Sequence, residues 1–435
     1  MPSKQSAVWS VLLIAIAVAL LLRTMAWAAT GERVLYNFTG GTDGENPISY
    51  GSLIFDHKGN LYGTTVGGGN PACNNICGTV FELSPSNGGW KKTTLYEFAG
   101  APDGAQPDSG LVFDGAGNLY GTTVQGGIDS QCGTVFELSP ASGGGWTEAV
   151  LHSFVNSDGC QPVVGVILDK AGNIYGTTTA GGTYGFGAVF ELTKTGGVWT
   201  ETVLHSFNRD GSDGQEPFAA VAMDTAGNLY GTTLYGGADS VGTVFELSQS
   251  GGIWQEKVIY DFKYYNVNHD GAYPYAGVSL DKTGNLYGTT VYGGAGTSCP
   301  PGSCGAVYRL KHSQGGWKET ILYSFRSGKD GSFPNAGVTL FGGKLYGTTS
   351  YGGGGNCQFH GVTGCGTFFS LQQSGSKWIE TVFRLNIGNG AIPQAGLVAN
   401  KKGVLFGTTF DGGRGSCMGP PPGCGVVFAW HPPAF

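Results

Sequence analysis

The sequence has little charge. Asp, Glu, Lys and Arg together make up 12% of it, and its 23 Lys and Arg are scattered without a cluster. That dispersal, with a net charge of −7, withholds the basic footprint of a nucleic-acid-binding surface. No stretch of useful length shows helical periodicity, which argues against bundles and coiled coils. The signatures G-x-S-x-G, H-E-x-x-H and G-x-x-x-x-G-K-[ST] are missing, so the hydrolase elbow, the zinc-protease helix and the P-loop have no sequence support. Only residues 7–22 form a long apolar run, and at about 16 residues it falls short of the roughly 20 that span a bilayer. With Lys4 before it and "AWA" at residues 26–28 behind it, the run reads as a signal peptide, residues 1–28. Cleavage after Ala28 and export to a secreted or cell-surface location are expected, with a retained N-terminal anchor as the lesser reading.

Glycine is abundant instead, at 80 residues, and 40% of the chain is apolar. The glycines follow no G-X-Y period, so collagen is excluded, and the apolar content argues against disorder. Ten cysteines fit an oxidising compartment. Eight fall in close pairs, Cys73–Cys77, Cys299–Cys304, Cys357–Cys365 and Cys417–Cys424, and Cys132 and Cys160 can join neighbouring loops. Five disulfides are expected. Zinc is the poorer account of these cysteines, because the spacings vary and most pairs have no histidine beside them.

The heptad "GNLYGTT" occurs four times, and "GNIYGTT", "GKLYGTT" and "GVLFGTT" bring the copies to seven. Their aromatic residues, Tyr62, Tyr120, Tyr175, Tyr230, Tyr287, Tyr346 and Phe406, are 58, 55, 55, 57, 59 and 60 residues apart. One unit holds four short β-rich runs, 111–114, 119–123, 134–139 and 146–154, separated by turn residues. Four antiparallel strands repeated seven times predict an all-β, seven-bladed β-propeller over residues 31–435. Named A to D in chain order, the strands leave the last unit without a D strand. "RVLYNF" at about residues 33–38 looks like the end of one, and is expected to complete the last blade.

This order puts the B–C and D–A loops on one face, with every cysteine. Variable loops on a rigid scaffold are where binding is expected. The D–A loops repeat D-G-x-x-P from Asp43, Asp103, Asp158, Asp213, Asp270 and Asp330, with Asn389 in the seventh copy. A ring of such carboxylates at the channel mouth could hold Ca²⁺, but an Asp-Gly turn followed by Pro explains the motif more simply. No other cofactor is expected. The longest D–A loop, "KYYNVNHDGAYPY", offers Tyr264, Tyr265, His269, Tyr273 and Tyr275, and neighbouring loops add Tyr235, Tyr292, Phe333 and Tyr351. Exposed aromatics suit sugar stacking or a protein partner; packing among themselves to order the loops is an equal reading. The charged groups on this face outside the repeat include Asp108, Glu216, Asp239, Asp411 and Arg414, and a pair of acids among them could serve glycosidase chemistry. His152 and His205 stand where other units have Tyr, and read as sheet residues.

The correlated motifs "GNLYGTT…GG…GTVFELSP…GGW…LYSF…DG…P" resemble the GloVer (Gloeo_Verruco) tandem-repeat proteins of bacteria, over nearly all of residues 33–430. The resemblance implies an exported or surface-associated protein and supplies no catalytic residues. Some relatives carry C-terminal anchoring segments; "AWHPPAF" follows the last strand here, and free secretion as a monomer is expected. The leading expectation is a non-enzymatic propeller that binds an extracellular carbohydrate or protein through the B–C and D–A loop face. The alternative is a secreted polysaccharide hydrolase or lyase with carboxylates at the mouth of the central channel.

Overall fold

A computed structural model describes residues 31–433 except 75, 265–268, 297, 300–302, 360 and 418–420. The chain forms seven four-stranded antiparallel units in a ring, a seven-bladed β-propeller. In blade 2 the strands are A, Val112–Phe113; B, Leu119–Thr123; C, Thr134–Pro140; and D, Trp146–Ser153. Their sheet order is D-C-B-A, and the other blades repeat it. Blade 7 takes its A, B and C strands from Val398–Ala399, Leu405–Thr409 and Val426–His431, and its D strand is the N-terminal Gly31–Asn37. Glu32 pairs with Trp430 and Asn37 with Val426, so the two ends of the ring share one sheet. The first blade carries one extra short strand, Glu45–Pro47, on its B strand.

Each letter of the heptad has a mechanical task. In blade 2, Asp114 accepts the backbone N–H groups of Ala116 and Asn118, closing the A–B turn, while Tyr120 lays its hydroxyl on the same carboxylate at 3.2 Å. The glycine after the tyrosine makes room for an aromatic ring of strand C. A Cβ at Gly121 would stand 2.7 Å from Phe136, one at Gly176 2.5 Å from Phe190 and one at Gly231 2.3 Å from Phe245. The first threonine of each heptad donates its hydroxyl across to the next blade. Thr64, Thr122, Thr177, Thr232, Thr289, Thr348 and Thr408 reach the backbone carbonyls of Ser109, Val164, Ala219, Ala276, Ala336, Ala395 and Ile48 at 2.8–3.4 Å. These hydroxyls are buried, so losing the partner would leave a desolvated polar atom.

Strand D supplies the other inter-blade contact. A phenylalanine follows it in six blades, and each such ring is fully buried, edge-to-face with the strand C aromatic of the next blade. Phe98–Phe136, Phe154–Phe190, Phe207–Phe245 and Phe262–Tyr308 have centroids 5.0–5.2 Å apart. The tryptophans that open or follow the start of strand D pack back the other way, as Trp146 does on Tyr62 and Trp254 on Tyr175. The D strands of all blades but the sixth carry a one-residue irregularity just before the final Tyr or His, as at Leu151 and Leu204. Such a bulge flips the side-chain parity, so residues four apart on strand D face opposite neighbours.

Adding one methyl group at Gly176 should therefore destabilise the ring by about 1–3 kcal/mol through overpacking against Phe190. Gly115→Ala, whose Cβ meets nothing within 4 Å, is the control. Thermal melts that rank the two variants equally would contradict this account of the heptad. Deleting residues 31–38 should expose the C strand of blade 7 as an open edge and produce oligomers, measured by light scattering.

Candidate functional site: the loop face and its blade junctions

The residue before the proline of each D–A loop is not glycine, yet its backbone is left-handed. Asn46, Gln106, Gln161, Glu216, Tyr273, Phe333 and Ile392 have φ between 52° and 58°. Side chains at such φ cost about 1–2 kcal/mol each. The geometry persists because it aims each N–H at the preceding blade. The acceptors are the carbonyls of Cys424, Cys77, Cys132, Phe186, Val241, Cys304 and Cys365, at 2.7–3.0 Å. Five of these acceptors are half-cystines, so the disulfides Cys73–Cys77, Cys132–Cys160, Cys299–Cys304, Cys357–Cys365 and Cys417–Cys424 brace the loops that hold the bonds. The seven side chains form a two-sided ring: Asn46, Gln106, Gln161 and Glu216 are polar, while Tyr273, Phe333 and Ile392 are large and apolar.

On the apolar side the aromatic loop residues come together. Tyr235, Tyr273, Tyr292, Phe333 and Tyr351 meet edge to face in succession, with centroids 5.3–6.0 Å apart. Tyr275 turns towards the axis and contacts Phe218 at 5.0 Å and Tyr50 at 5.8 Å. Tyr50 arrives from blade 1, on the far side of the ring, where nine positions instead of the usual seven separate Pro47 from Asp56. These three rings meet over the loop-face end of a central channel of about 580 Å³, lined below by glycines and alanines just before the A strands, among them Gly110, Gly165, Ala220 and Gly277. Tyr264 is 49% exposed and its N–H bonds Asp239; His269 is exposed; Tyr265 lies outside the described residues.

Beside this arc a cleft of about 520 Å³ lies between blades 3 and 4, lined by Phe186, Arg209, Asp210, Gln215, Glu216 and Tyr235. Tyr235 is 39% exposed, and burial raises the Glu216 carboxyl above its ordinary value. The other acids of this face stand apart from that cleft. Asp108 accepts the Ser49 N–H, and burial pushes it up to about 7; Asp411 bonds Asn46, and burial pushes it to about 6. Arg414 is exposed, its backbone N–H on Asn37.

The aspartates of D-G-x-x-P sit at the outer belt, against strand D. Asp43, Asp103, Asp158, Asp213, Asp270 and Asp330 each accept a backbone N–H from three to seven residues upstream. A strand D side chain meets each from outside: Tyr36, Tyr96, Tyr260 and Tyr323 donate hydroxyls, and His205 and His152 bring Nε2 to 3.1 and 3.3 Å. A third group, from strand D of the following blade, completes each junction. It is Glu148, Glu201, Glu256, Glu319, Glu380 and Glu32 at six junctions and Lys92 at the seventh. Sequence reasoning passed over these glutamates, since each stands in an alternating strand where solvent exposure is the simplest reading. The left-handed positions were equally hidden, because residues as unlike as Gln and Ile occupy them. Their one signal was the fixed place before proline.

A model of the Gloeobacter/Verrucomicrobia repeat matches residues 23–148 and 130–359. No curated protein matches the chain. Among solved structures it is similar to PorZ, a surface component of the type-IX secretion system of Porphyromonas gingivalis, at 12% identity and a TM-score of 0.42, covering 80% of this chain and 43% of that one. It is also similar to a Lactobacillus plantarum protein, at 14% identity and a TM-score of 0.45 over 76% and 84% of the two chains. A polysaccharide lyase of family 25, an ulvan lyase bound to -[GlcA(1-4)Rha3S]-, resembles it at 10% identity and a TM-score of 0.47 over 86% and 89%.

Two predictions follow from the junctions. Gln106→Gly should leave the melting temperature at or above that of the parent, whereas Gln106→Val, β-branched at φ 58°, should cost about 1–3 kcal/mol. The second concerns Glu380, which burial and its neighbour Asp330 push up to about 9. The folded protein keeps this proton above the ordinary value of 4.5, where the unfolded chain releases it, so this contribution falls as pH rises towards 9. Glu319, at about 8, acts in the same sense. Melting temperature should therefore drop between pH 5 and 9, and Glu380→Gln should flatten the slope; a parent protein that gains stability over that window refutes the assignment.

Proposed function

The chain belongs to the Gloeobacter/Verrucomicrobia repeat family, and from the geometry of its loop face we propose that it is an exported propeller that binds an oligosaccharide without cleaving it. One observation carries the reading: the exposed ring of Tyr235 borders a cleft whose other walls carry Arg209, Asp210, Gln215 and Glu216. A sugar ring presents an apolar C–H face and a rim of hydroxyls. The first suits an aromatic ring held at a fixed angle, and Tyr273 holds Tyr235 edge to face at 5.7 Å. The second suits side chains that donate and accept in one plane, as Arg209, Gln215 and Glu216 can. Since the scaffold below is a closed ring, the platform needs little ordering on binding, which lowers the entropic cost. Export is supported by the five disulfides, which persist in oxidising compartments. No helix of the described residues is long and apolar enough to cross a membrane.

The test is retention on an array of bacterial, plant and algal oligosaccharides, followed by titration of the best ligand. Tyr235→Ala and Arg209→Ala, both at exposed positions, should each weaken binding about tenfold or more while leaving the melting temperature in place. Undiminished retention by the double variant would sink the proposal. Shortened or unsaturated sugars appearing in the incubation would replace it with the hydrolase or lyase reading.

A further inference from the structure

The seven junctions of the outer belt face one electrostatic problem. At each, a D–A loop side chain is brought against strand D of the next blade, and in five of them this sets a loop aspartate beside a glutamate. Two carboxylates so placed need a proton or a cation between them. The junction of blades 7 and 1 has its cation built in, for Lys92 replaces the glutamate and its Nζ lies 3.2 Å from Asp43. Between blades 5 and 6 a proton serves, since the Tyr323 hydroxyl bridges Asp330 and Glu380 at 2.6 and 2.7 Å. The junction between blades 6 and 7 avoids the problem by placing Asn389 against Glu32.

Two adjacent junctions differ from all of these. Between blades 2 and 3, His152 stands in the tyrosine's place, with Asp158 and Glu201; between blades 3 and 4, His205 does, with Asp213 and Glu256. In each trio one nitrogen and two carboxylate oxygens lie within 4.8 Å of one another. His205 Nε2 stands 3.1 Å from Asp213 Oδ2, and His152 Nε2 stands 3.3 Å from Asp158 Oδ2. Ligands around zinc, at bonds of about 2.1 Å, are about 3.4 Å apart, so these pairs already have the spacing. His152 Nε2 is solvent-shielded and without a hydrogen-bond partner. Glu201 Oε1 and Glu256 Oε1 are unpartnered too, as is the same oxygen of Glu32, Glu148, Glu319 and Glu380 at other junctions, so the histidines are what set these two apart. The tyrosines at other junctions keep their protons and cannot take this role, while neutral imidazole is the commonest metal ligand. The bulge at Leu204 lets one strand serve both trios, with Glu201 facing blade 2 and His205 facing blade 4.

We propose that His152–Asp158–Glu201 and His205–Asp213–Glu256 each bind one divalent transition cation, zinc first among them, with water completing the tetrahedron. Imidazole nitrogen and carboxylate oxygen are both donors that zinc accepts, and the nitrogen favours a transition cation over Mg²⁺ or Ca²⁺. The ion fills the place that the ammonium of Lys92 holds at the closing junction, and ties three consecutive blades together. Both sites lie on the belt; the second shares its D–A loop with the sugar cleft, where Asp210 accepts the Asp213 N–H, but neither depends on the sugar reading.

The test uses the disulfide-bonded protein, stripped by chelator and dialysed against Zn²⁺ or Co²⁺ alone. The expected result is two bound equivalents, a tetrahedral Co²⁺ absorption band and a melting temperature that rises with the logarithm of metal concentration. His205→Gln and His152→Gln should each remove one equivalent, and the double variant both, although five other histidines remain. Glu256→Lys copies the closing junction; it should abolish one equivalent and still melt cooperatively, which separates a lost ligand from a lost fold. Absence of stoichiometric binding at about 100 μM metal, or two equivalents retained by the double histidine variant, would overturn the proposal.

Discussion

The ring depends on a hydrogen bond that ordinary β-structure does not contain. Seven residues adopt a left-handed backbone so that each can point its N–H at a carbonyl of the blade behind it. A sheet satisfies its own interior donors, but the loops between sheets have no ladder to join. Where those loops are buried against a neighbour, an unpaired N–H would cost more than the strained dihedral does. The threonine hydroxyls and the buried phenylalanines work on the same seam from deeper levels. Backbone and hydroxyl contacts thus repeat at each boundary and the buried phenylalanine at six of the seven, Leu385 standing at the other, and the blades are held to one another much as strands are held within them.

Much of this was legible in the sequence because the constraint is periodic. Glycine after tyrosine recurs since a strand C ring occupies the space of any Cβ at Gly63, Gly121 or Gly176. The blade count, the strand order, the strand that closes the ring and all five disulfides could be read from recurring letters and their spacing. The candidate site was legible only in part. Tyr235, Tyr273, Tyr292 and Tyr351 were visible as aromatics in loops, but a sequence does not say that Tyr50 crosses the axis to meet Tyr275. That contact depends on an insertion in blade 1, the one unit whose A strand begins late. Glu201 and Glu256 were hidden for another reason: in an alternating strand a glutamate reads as solvent-facing, and nothing local says that a neighbouring blade covers it.

Identical boundaries leave room for side chains that do not carry the architecture. At the left-handed position the backbone does the structural work, so its side chain has been free to become Asn, Gln, Glu, Tyr, Phe or Ile. One rim of the mouth is polar and the other aromatic as a result. The belt shows the same freedom in its charges: the loop turn carries an aspartate in six copies and Asn389 in the seventh, and the partner across the junction varies between lysine, glutamate alone, glutamate with tyrosine, and glutamate with histidine. Sevenfold repetition of the scaffold and divergence of its surface are two aspects of one design.

The N-terminal strand that finishes blade 7 has a consequence in time. Gly31 pairs with His431, so the last sheet needs strands 400 residues apart in sequence at once. Six blades can assemble from neighbouring sequence as it emerges, but the seventh waits for the final strand. The entropy of closing so long a loop grows only slowly with its length, yet the search is late and exposes an apolar edge while it lasts. Once zipped, the same strand becomes the latch whose opening any unravelling from the ends requires. A protein built this way would be slow to complete and slow to lose its form, a persistence set by rates more than by equilibrium.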